Sequence, residues 1–293
     1  MEIKNTTNRT TGRRGSSPFA CPGPGNGHNL ATANFLAATP TATTRMNPSG
    51  RYTAPLLAVL ASAVPPFLLV ASAGEPAGAD SGTRDIAGWQ VHVRRDLLAA
   101  DEAATTRALE LLQAQLEEIN RVVPRVAAAK LRKVPLWFSP EYPGGKPRAE
   151  YHPSAAWLRA NGRDPAMAKG VEFTNVRIFE AETRRMPNFA LHELAHAYHD
   201  LFLPDGFRHP GIVAAYEGAK AGGTYDRVER QDSEGRKTLD RAYALTNPQE
   251  YFAESTEAFF TRNDFFPYTR AELRQHDPGM FALLAELWGV AID

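Results

Sequence analysis

Two histidines and a glutamate at short spacing are the residues of this chain best suited to chemistry. His192, Glu193 and His196 form the pattern H-E-x-x-H. On an α-helix, four residues turn the chain by about 400° and advance it by about 6 Å, so both imidazoles project from one face. The two rings are then close enough to share one metal ion at about 2 Å each.

Glu193 has a different place on the same helix, about 100° around from His192. Its carboxylate therefore reaches beside the metal rather than onto it. There it can accept a proton from a water molecule whose pKa zinc has lowered to about 7. The spacing predicts a Zn²⁺ centre with His192 and His196 as ligands and Glu193 as the general base.

A catalytic zinc needs a third protein ligand and an open position. His199 is a poor candidate, because it lies about 10 Å along the helix axis from His192; we expect it to be a cap or packing residue. Cys21 is the only cysteine, in a segment with no expected fold. The third ligand must therefore be an oxygen or nitrogen donor from Asp, Glu or His.

A row of acids further along the chain offers that ligand. Asn247-Pro248 is a helix-start signal, and the predicted helix runs to about residue 262. Glu250, Glu254 and Glu257 fall on one face, where carboxylates repel unless they are solvated or face a cation. We favour an inward face, with one acid on the metal and another, one turn further on, accepting the ring N–H of a ligating histidine. Spacing alone does not decide which acid is the ligand.

The elements that must position these residues form a mixed set of strands and helices. Strands are predicted at 89–93, 134–138 and 171–178 from apolar alternation or short apolar runs, and a loop at 140–147. Helices are predicted at 109–123, 188–202, 247–262 and 278–290 from three- and four-residue apolar steps and end signals. This order predicts one α+β domain over residues 88–293.

The N-terminal part has a different composition. Residues 1–45 are rich in Thr, Asn, Gly and Pro, which predicts either disorder or a wrongly assigned gene start with Met46 as the true beginning. Residues 46–73 combine a short basic start, an apolar run from 54 to 73 and a small-residue exit, which is typical of a signal peptide. The alternative is a retained membrane anchor. Both predict a secreted or cell-envelope location, with 74–87 as a linker.

The motifs together resemble those of a known group of zinc peptidases. H-E-x-x-H followed by Y-A-L-T-N-P-Q-E-Y-F-A-E at positions 243–254 is similar to the catalytic domain of anthrax lethal factor and to the Pro-Pro endopeptidases. The resemblance covers about residues 187–260. It implies that Glu250 is the metal ligand, that Glu254 is the carboxylate behind a ligating histidine, and that the Tyr243 hydroxyl stabilises the oxyanion.

The resemblance also implies a fold and a substrate class. The fold is a zincin-like metallopeptidase domain with a small mixed sheet and an active-site helix that carries H-E-x-x-H. The substrate is a peptide or protein, laid as an added strand along an edge strand. Residues 171–179 are one candidate for that edge strand, and an ordinary internal strand is the alternative for the same residues.

Composition argues against some other classes of function. Lys plus Arg equals Asp plus Glu, at 33 each, and no basic run with interleaved aromatic residues is present, so nucleic acid is not an expected partner. A membrane is a partner only if residues 54–73 are retained as an anchor. The function predicted is a secreted zinc endopeptidase. The alternative is a catalytically silent zinc-binding extracellular module, which would need neither Glu193 nor Tyr243.

Overall fold

A computed structural model describes residues 81–292, which begin with a five-stranded mixed sheet. The strand order is β1-β2-β3-β5-β4, with β2, β3 and β5 parallel and an antiparallel strand at each edge. The strands are β1 Ser81–Ile86, β2 Trp89–Arg94, β3 Leu136–Phe138, β4 Ala149–Tyr151 and β5 Val171–Phe173.

Helices dominate the rest of the described chain, together with a small hairpin of β6 Val228–Gln231 and β7 Lys237–Asp240. The helices are α1 Arg95–Ala100, α2 Glu102–Val122, α3 Arg125–Leu131, α4 Ala155–Ala160, α5 Phe179–Arg185, α6 Phe189–Phe202, α7 Pro210–Gly222, α8 Pro248–Phe260, α9 Arg270–His276 and α10 Pro278–Trp288. Strands interleaved with helices up to β5, followed mostly by helices, confirm the predicted α+β class with a small mixed sheet.

The inner face of the sheet follows from apolar alternation. In β2, Trp89, Val91 and Val93 are fully buried, while His92 points to the other face and stacks on Trp137 of β3. The amphipathic helix predicted at 109–123 is confirmed as the second part of α2, which packs on α5 and α6. This layer of sheet and helix is the core against which α6 is buried.

Helices α6 and α8 pack against each other and carry all the predicted site residues except Tyr243. Asn188 caps α6 by accepting the N–H of Leu191, and Asn247 caps α8 by accepting the N–H of Glu250 at 2.8 Å. Pro248 occupies the first turn of α8, where no intrahelical N–H bond is lost. The predicted starts of both helices are confirmed. Most side chains of both helices are buried, including the polar ones of the site.

The edges of the sheet differ from the predictions. The segment 171–179 contains β5, an internal strand between β3 and β4, and then the start of α5. The edge strand nearest α6 is β4, which lies two residues beyond the predicted loop. Its three residues are too few to show a period of two, so no alternation marked it.

The folded region also extends further toward the N-terminus than predicted. Strand β1 lies inside the segment 74–87, for which the sequence predicts a linker. Most of its side chains are exposed, because it is held mainly by backbone pairing to β2, and it therefore lacks an apolar signature. The predicted extension 1–45 and signal segment 46–73 lie outside the described residues. Among residues 81–292 no helix has both the length and the apolar character needed to cross a membrane.

Candidate metal centre

His192, His196 and Glu250 converge at one buried point between α6 and α8. The two Nε2 atoms are 3.2 Å apart, and Oε2 of Glu250 lies 3.1 Å from Nε2 of His192 and 3.4 Å from Nε2 of His196. All three side chains are about 99% buried. Residues 58 positions apart in sequence are thus brought to contact distance by the packing of two helices.

The triangle formed by these three atoms fits a metal ion. Ligand atoms at roughly 2.0–2.1 Å from a tetrahedral zinc lie about 3.3–3.4 Å from one another. Two imidazole nitrogens and a carboxylate oxygen, with no thiol in residues 81–292, are a donor set that suits zinc. The three residues therefore have both the geometry and the chemistry to hold a zinc ion.

The electrostatics of the triangle also favour a positive charge there. Burial by itself would lower the pKa of His192, but the charge of Glu257 and hydrogen bonds to Glu250 and Glu257 raise it well above its ordinary value. Burial would likewise raise the pKa of Glu250, but the charge of His196 and hydrogen bonds to both rings lower it to about 2. Electron-pair donors this close repel unless a proton or a cation lies among them.

The second ring nitrogen of His192 has a different partner from the one expected. Nδ1 of His192 is 2.6 Å from Oε1 of Glu257, whereas Oε1 of Glu254 is 3.8 Å away. Glu254 is hydrogen-bonded to a different residue, because Nδ2 of Asn263 donates to Oε2 of Glu254 at 3.0 Å. The carboxylate that accepts the ring N–H is therefore Glu257, two turns after Glu250, instead of Glu254, one turn after it.

Raised pKa values and two arginines, Arg185 and Arg230, offset the negative charge of the acids next to the three ligands. Burial raises the pKa of Glu257 to about 7 and, with the charges of Asp264 and Glu257, raises that of Glu254 well above its usual range. Glu254 therefore favours its neutral form. Arg185 of α5 forms ion pairs with Asp264 and with Glu182, and its side chain is 94% buried. Sequence reasoning did not find Arg185 or Asp264, because neither belongs to a motif.

Glu193 lies beside the triangle, as the helical spacing predicts. Its side chain is buried, and its Oε2 accepts the backbone N–H of Tyr151 in strand β4 at 2.8 Å. Burial raises the pKa of Glu193, an effect that the neighbouring His192 and His196 oppose. A carboxylate whose pKa is raised toward neutrality is well suited to take up and release a proton.

Tyr243 lies in a short 3-10 helix, Tyr243–Leu245, that immediately precedes α8 and packs against it. Its side chain is partly buried against the core, and its hydroxyl oxygen is buried. Its role as an oxyanion donor stays a prediction.

His199 is not part of the triangle. Its fully buried ring packs against Phe207 and Phe252, at centroid distances of 5.2 and 5.0 Å, which fits the expected packing role. Burial, together with the charges of His196 and His209, lowers its pKa from 6.5 to about 3. His199 is therefore neutral in the folded protein over the whole physiological pH range.

This buried histidine predicts an acid sensitivity of the fold. Below pH 6.5 the unfolded chain binds a proton at His199, but the folded chain does not until about pH 3. The free energy of unfolding therefore decreases as the pH is lowered through that window. In His199→Leu we expect a smaller loss of unfolding free energy between pH 6.5 and 4, by up to about 1.4 kcal/mol per pH unit. Urea denaturation of both proteins at several pH values measures it. Parallel pH dependences would contradict this role of the ring.

Comparisons with known proteins add little to this geometry. No protein-family model matches the chain, and no curated protein matches it. Among solved structures, a Pro-Pro endopeptidase from Paenibacillus alvei matches 70% of this chain and 99% of its own length, with 17% identity and a TM-score of 0.35. Values this low indicate a distant relationship at most and do not assign the chain to a family. The function has to be argued from the residues of the site.

Proposed function

We propose that this chain is a zincin-like, zinc-dependent endopeptidase. The observation that carries the proposal is the buried triangle of His192, His196 and Glu250, with Glu193 next to it on the same helix. Two imidazoles and one glutamate form the ligand set of a catalytic rather than a structural zinc site, because one coordination position stays open for water or substrate. A site kept for folding alone would not need a carboxylate at position 193.

The chemistry that zinc supplies when bound is polarisation of the scissile carbonyl and acidification of the attacking water. Glu193 accepts the proton of that water and later delivers it to the leaving amine. Its hydrogen bond from the Tyr151 amide fixes the carboxylate against the edge strand during both transfers. The hydroxyl of Tyr243 is the proposed donor to the negative charge that develops on the carbonyl oxygen.

Glu257 orients the ligand His192 from the side of the ring opposite the metal position. Its carboxylate accepts the Nδ1 proton of His192, which leaves the Nε2 lone pair directed at the metal position. Glu254, in its neutral form, removes one negative charge from the three acids that α8 places in the interior. Together these two residues hold the ligand in its metal-binding tautomer without an excess of buried charge.

Strand β4 is the proposed docking edge for an extended peptide. Arg148 and His152 make backbone hydrogen bonds toward β5, at 2.8 Å to Thr174 and 2.9 Å to Gly170. By the alternation of an antiparallel pair, the backbone groups of Ala149 and Tyr151 point away from β5, on the side where the Tyr151 N–H donates to Glu193. A peptide added at that edge lies beside Glu193, which supports a peptide rather than a small molecule as the substrate.

A location outside the cytoplasm is proposed from the signal-like segment 46–73 alone. The alternative function is an extracellular zinc-binding module that does not turn over substrate. The buried Glu193, held next to the metal ligands by a backbone amide, favours the enzyme over that alternative.

Digestion of a peptide library tests the proposal. We expect the purified protein to cleave a subset of peptides, the chelator 1,10-phenanthroline to stop cleavage, and added Zn²⁺ to restore it, because the bound ion supplies the Lewis acid. Mass spectrometry of the products and a metal assay of the protein provide both readouts. One zinc per chain with no cleavage of any peptide would support the silent binding module instead.

A further inference from the structure

The edge strand β4 is attached to helix α6 at two points, and Tyr151 makes both contacts. Its backbone N–H donates to Oε2 of Glu193 at 2.8 Å, and its hydroxyl donates to Oδ2 of Asp200 at 2.7 Å. Glu193 and Asp200 are seven residues apart, which is two helical turns with a net rotation of about 20°, so they lie on the same face of α6. Tyr151 thus spans about 10 Å of that face.

Asp200 is itself held in place from the neighbouring loop. Nζ of Lys169 donates to Oδ2 of Asp200 at 2.6 Å, and the backbone N–H of Lys169 donates to the carbonyl of His152 at 2.7 Å. The loop that enters β5 is therefore tied both to the end of β4 and to α6. The carboxylate that receives the Tyr151 hydroxyl is charge-compensated and fixed.

The opposite face of β4 is pinned by a second buried network. Glu150 of β4 and Glu172 of β5 are paired across the strands, and Nη1 of Arg163 lies 2.6 Å from one carboxylate and 3.2 Å from the other. His152 adds a 2.9 Å contact to Glu172. Two glutamates and a histidine could bind a metal, but here the guanidinium already holds the cation position between the acids. The network ties β4 to β5, but none of its four residues belongs to α6, so it does not set the distance between β4 and α6.

We propose that Tyr151 is a positioning residue for the general base. The hydrogen bond from its hydroxyl to Asp200 fixes the distance between strand β4 and helix α6. At that distance the Tyr151 amide donates to Glu193 and holds the Glu193 carboxylate beside the metal ligands. The role of Glu193 as the base comes from the proposed function, whereas the two-point attachment stands without it. Positioning matters here because a displacement of about 1 Å can cost a reaction roughly 100-fold.

Tyr151→Phe removes the hydroxyl and keeps the ring and the amide. We expect kcat for the library peptide that is cleaved fastest to fall about tenfold, with KM changed by less than about twofold and zinc still bound, because alignment rather than binding is lost. Asp200→Ala should reproduce this effect. Asp200→Asn, which keeps one acceptor oxygen, should recover most of the rate.

Tyr198→Phe is the matched control. Tyr198 lies on the same helix, and its hydroxyl donates to the carbonyl of Leu287 at 3.0 Å, away from Glu193. This variant loses one hydroxyl hydrogen bond as well, so its melting temperature should fall by a similar amount while its kcat stays within about twofold of the wild type. Equal kcat values for Tyr151→Phe and Tyr198→Phe would overturn the proposal.

Hydrogen exchange of the amide at position 151 gives a readout that does not depend on activity. In the full chain, Tyr151→Phe should speed exchange of that amide at least about threefold relative to Tyr198→Phe, because its bond to Glu193 opens more often. Exchange as slow as in the control overturns the proposal. If the wild type cleaves no peptide, the proposed function fails, and this exchange comparison alone decides whether the hydroxyl holds the amide against Glu193.

Discussion

Replacement of Glu193 by glutamine should abolish most peptide hydrolysis and leave one zinc bound per chain. Glutamine has nearly the same shape and still offers an oxygen to the Tyr151 amide, but it cannot take up the proton of the attacking water. Loss of a general base lowers kcat by roughly 100- to 10,000-fold. His192, His196 and Glu250 are untouched, so metal affinity should change little.

The measurement compares initial cleavage rates and zinc content for the wild type, Glu193→Gln and a control. Glu217→Gln is a matched control, because Glu217 is an exposed residue of α7 whose weak pairing with Lys220 at 4.0 Å has no contact with the site. Its rate should equal that of the wild type. Cleavage by Glu193→Gln at an undiminished rate would refute the assignment of the base, and loss of zinc would mean that Glu193 is a ligand.

The second large effect concerns the three acids of α8. Glu250→Gln should weaken zinc binding by more than the 10- to 100-fold that is typical when a partner behind a ligand is lost. Glu257→Gln should fall within about that 10- to 100-fold range, because it removes the acceptor for the Nδ1 proton of His192. Glu254→Gln should have the smallest effect, since burial raises the pKa of Glu254 and its carboxyl group is hydrogen-bonded to Asn263 and not to His192.

Zinc affinity can be measured by competition with a chromophoric chelator, and binding can be checked by the rise in melting temperature when zinc is added. Zinc stabilises the fold in proportion to the logarithm of its concentration over Kd, so a weaker site shows a smaller rise. The three substitutions are isosteric and differ only in position, which makes each a control for the others. A stronger effect of Glu254→Gln than of Glu250→Gln would reassign the third ligand.

The buried charge around the site explains the expected order of these three effects. Helix α8 places Glu250, Glu254 and Glu257 in the interior, where a single uncompensated carboxylate is costly. The metal position, the raised pKa of Glu254 and the positive charge of Arg185 all offset this negative charge, whereas the buried Asp264 adds to it. Substitution of the metal ligand Glu250 should therefore change the charge balance of the site more than substitution of Glu254.

The sequence alone determined the residues on each helix face and the ends of the main helices. The spacing of His192 and His196 fixes their shared direction on any α-helix, and Asn188 and Asn247 mark where the two helices begin. Three acids at helical spacing on an apolar helix indicated an inward charged face. These are local properties, set by the geometry of a helical turn and by capping, and they do not depend on what the helix packs against.

Only the tertiary structure decided which partners meet. The selection of Glu257 over Glu254 for the His192 ring depends on how α6 crosses α8 and on Asn263, which draws Glu254 away. Strand β4 is three residues long and has no periodic signature, so its position at the sheet edge and the contacts of Tyr151 with α6 could not be read from the chain. Both follow from packing between segments distant in sequence, and a pattern of neighbouring residues carries no information about such distances.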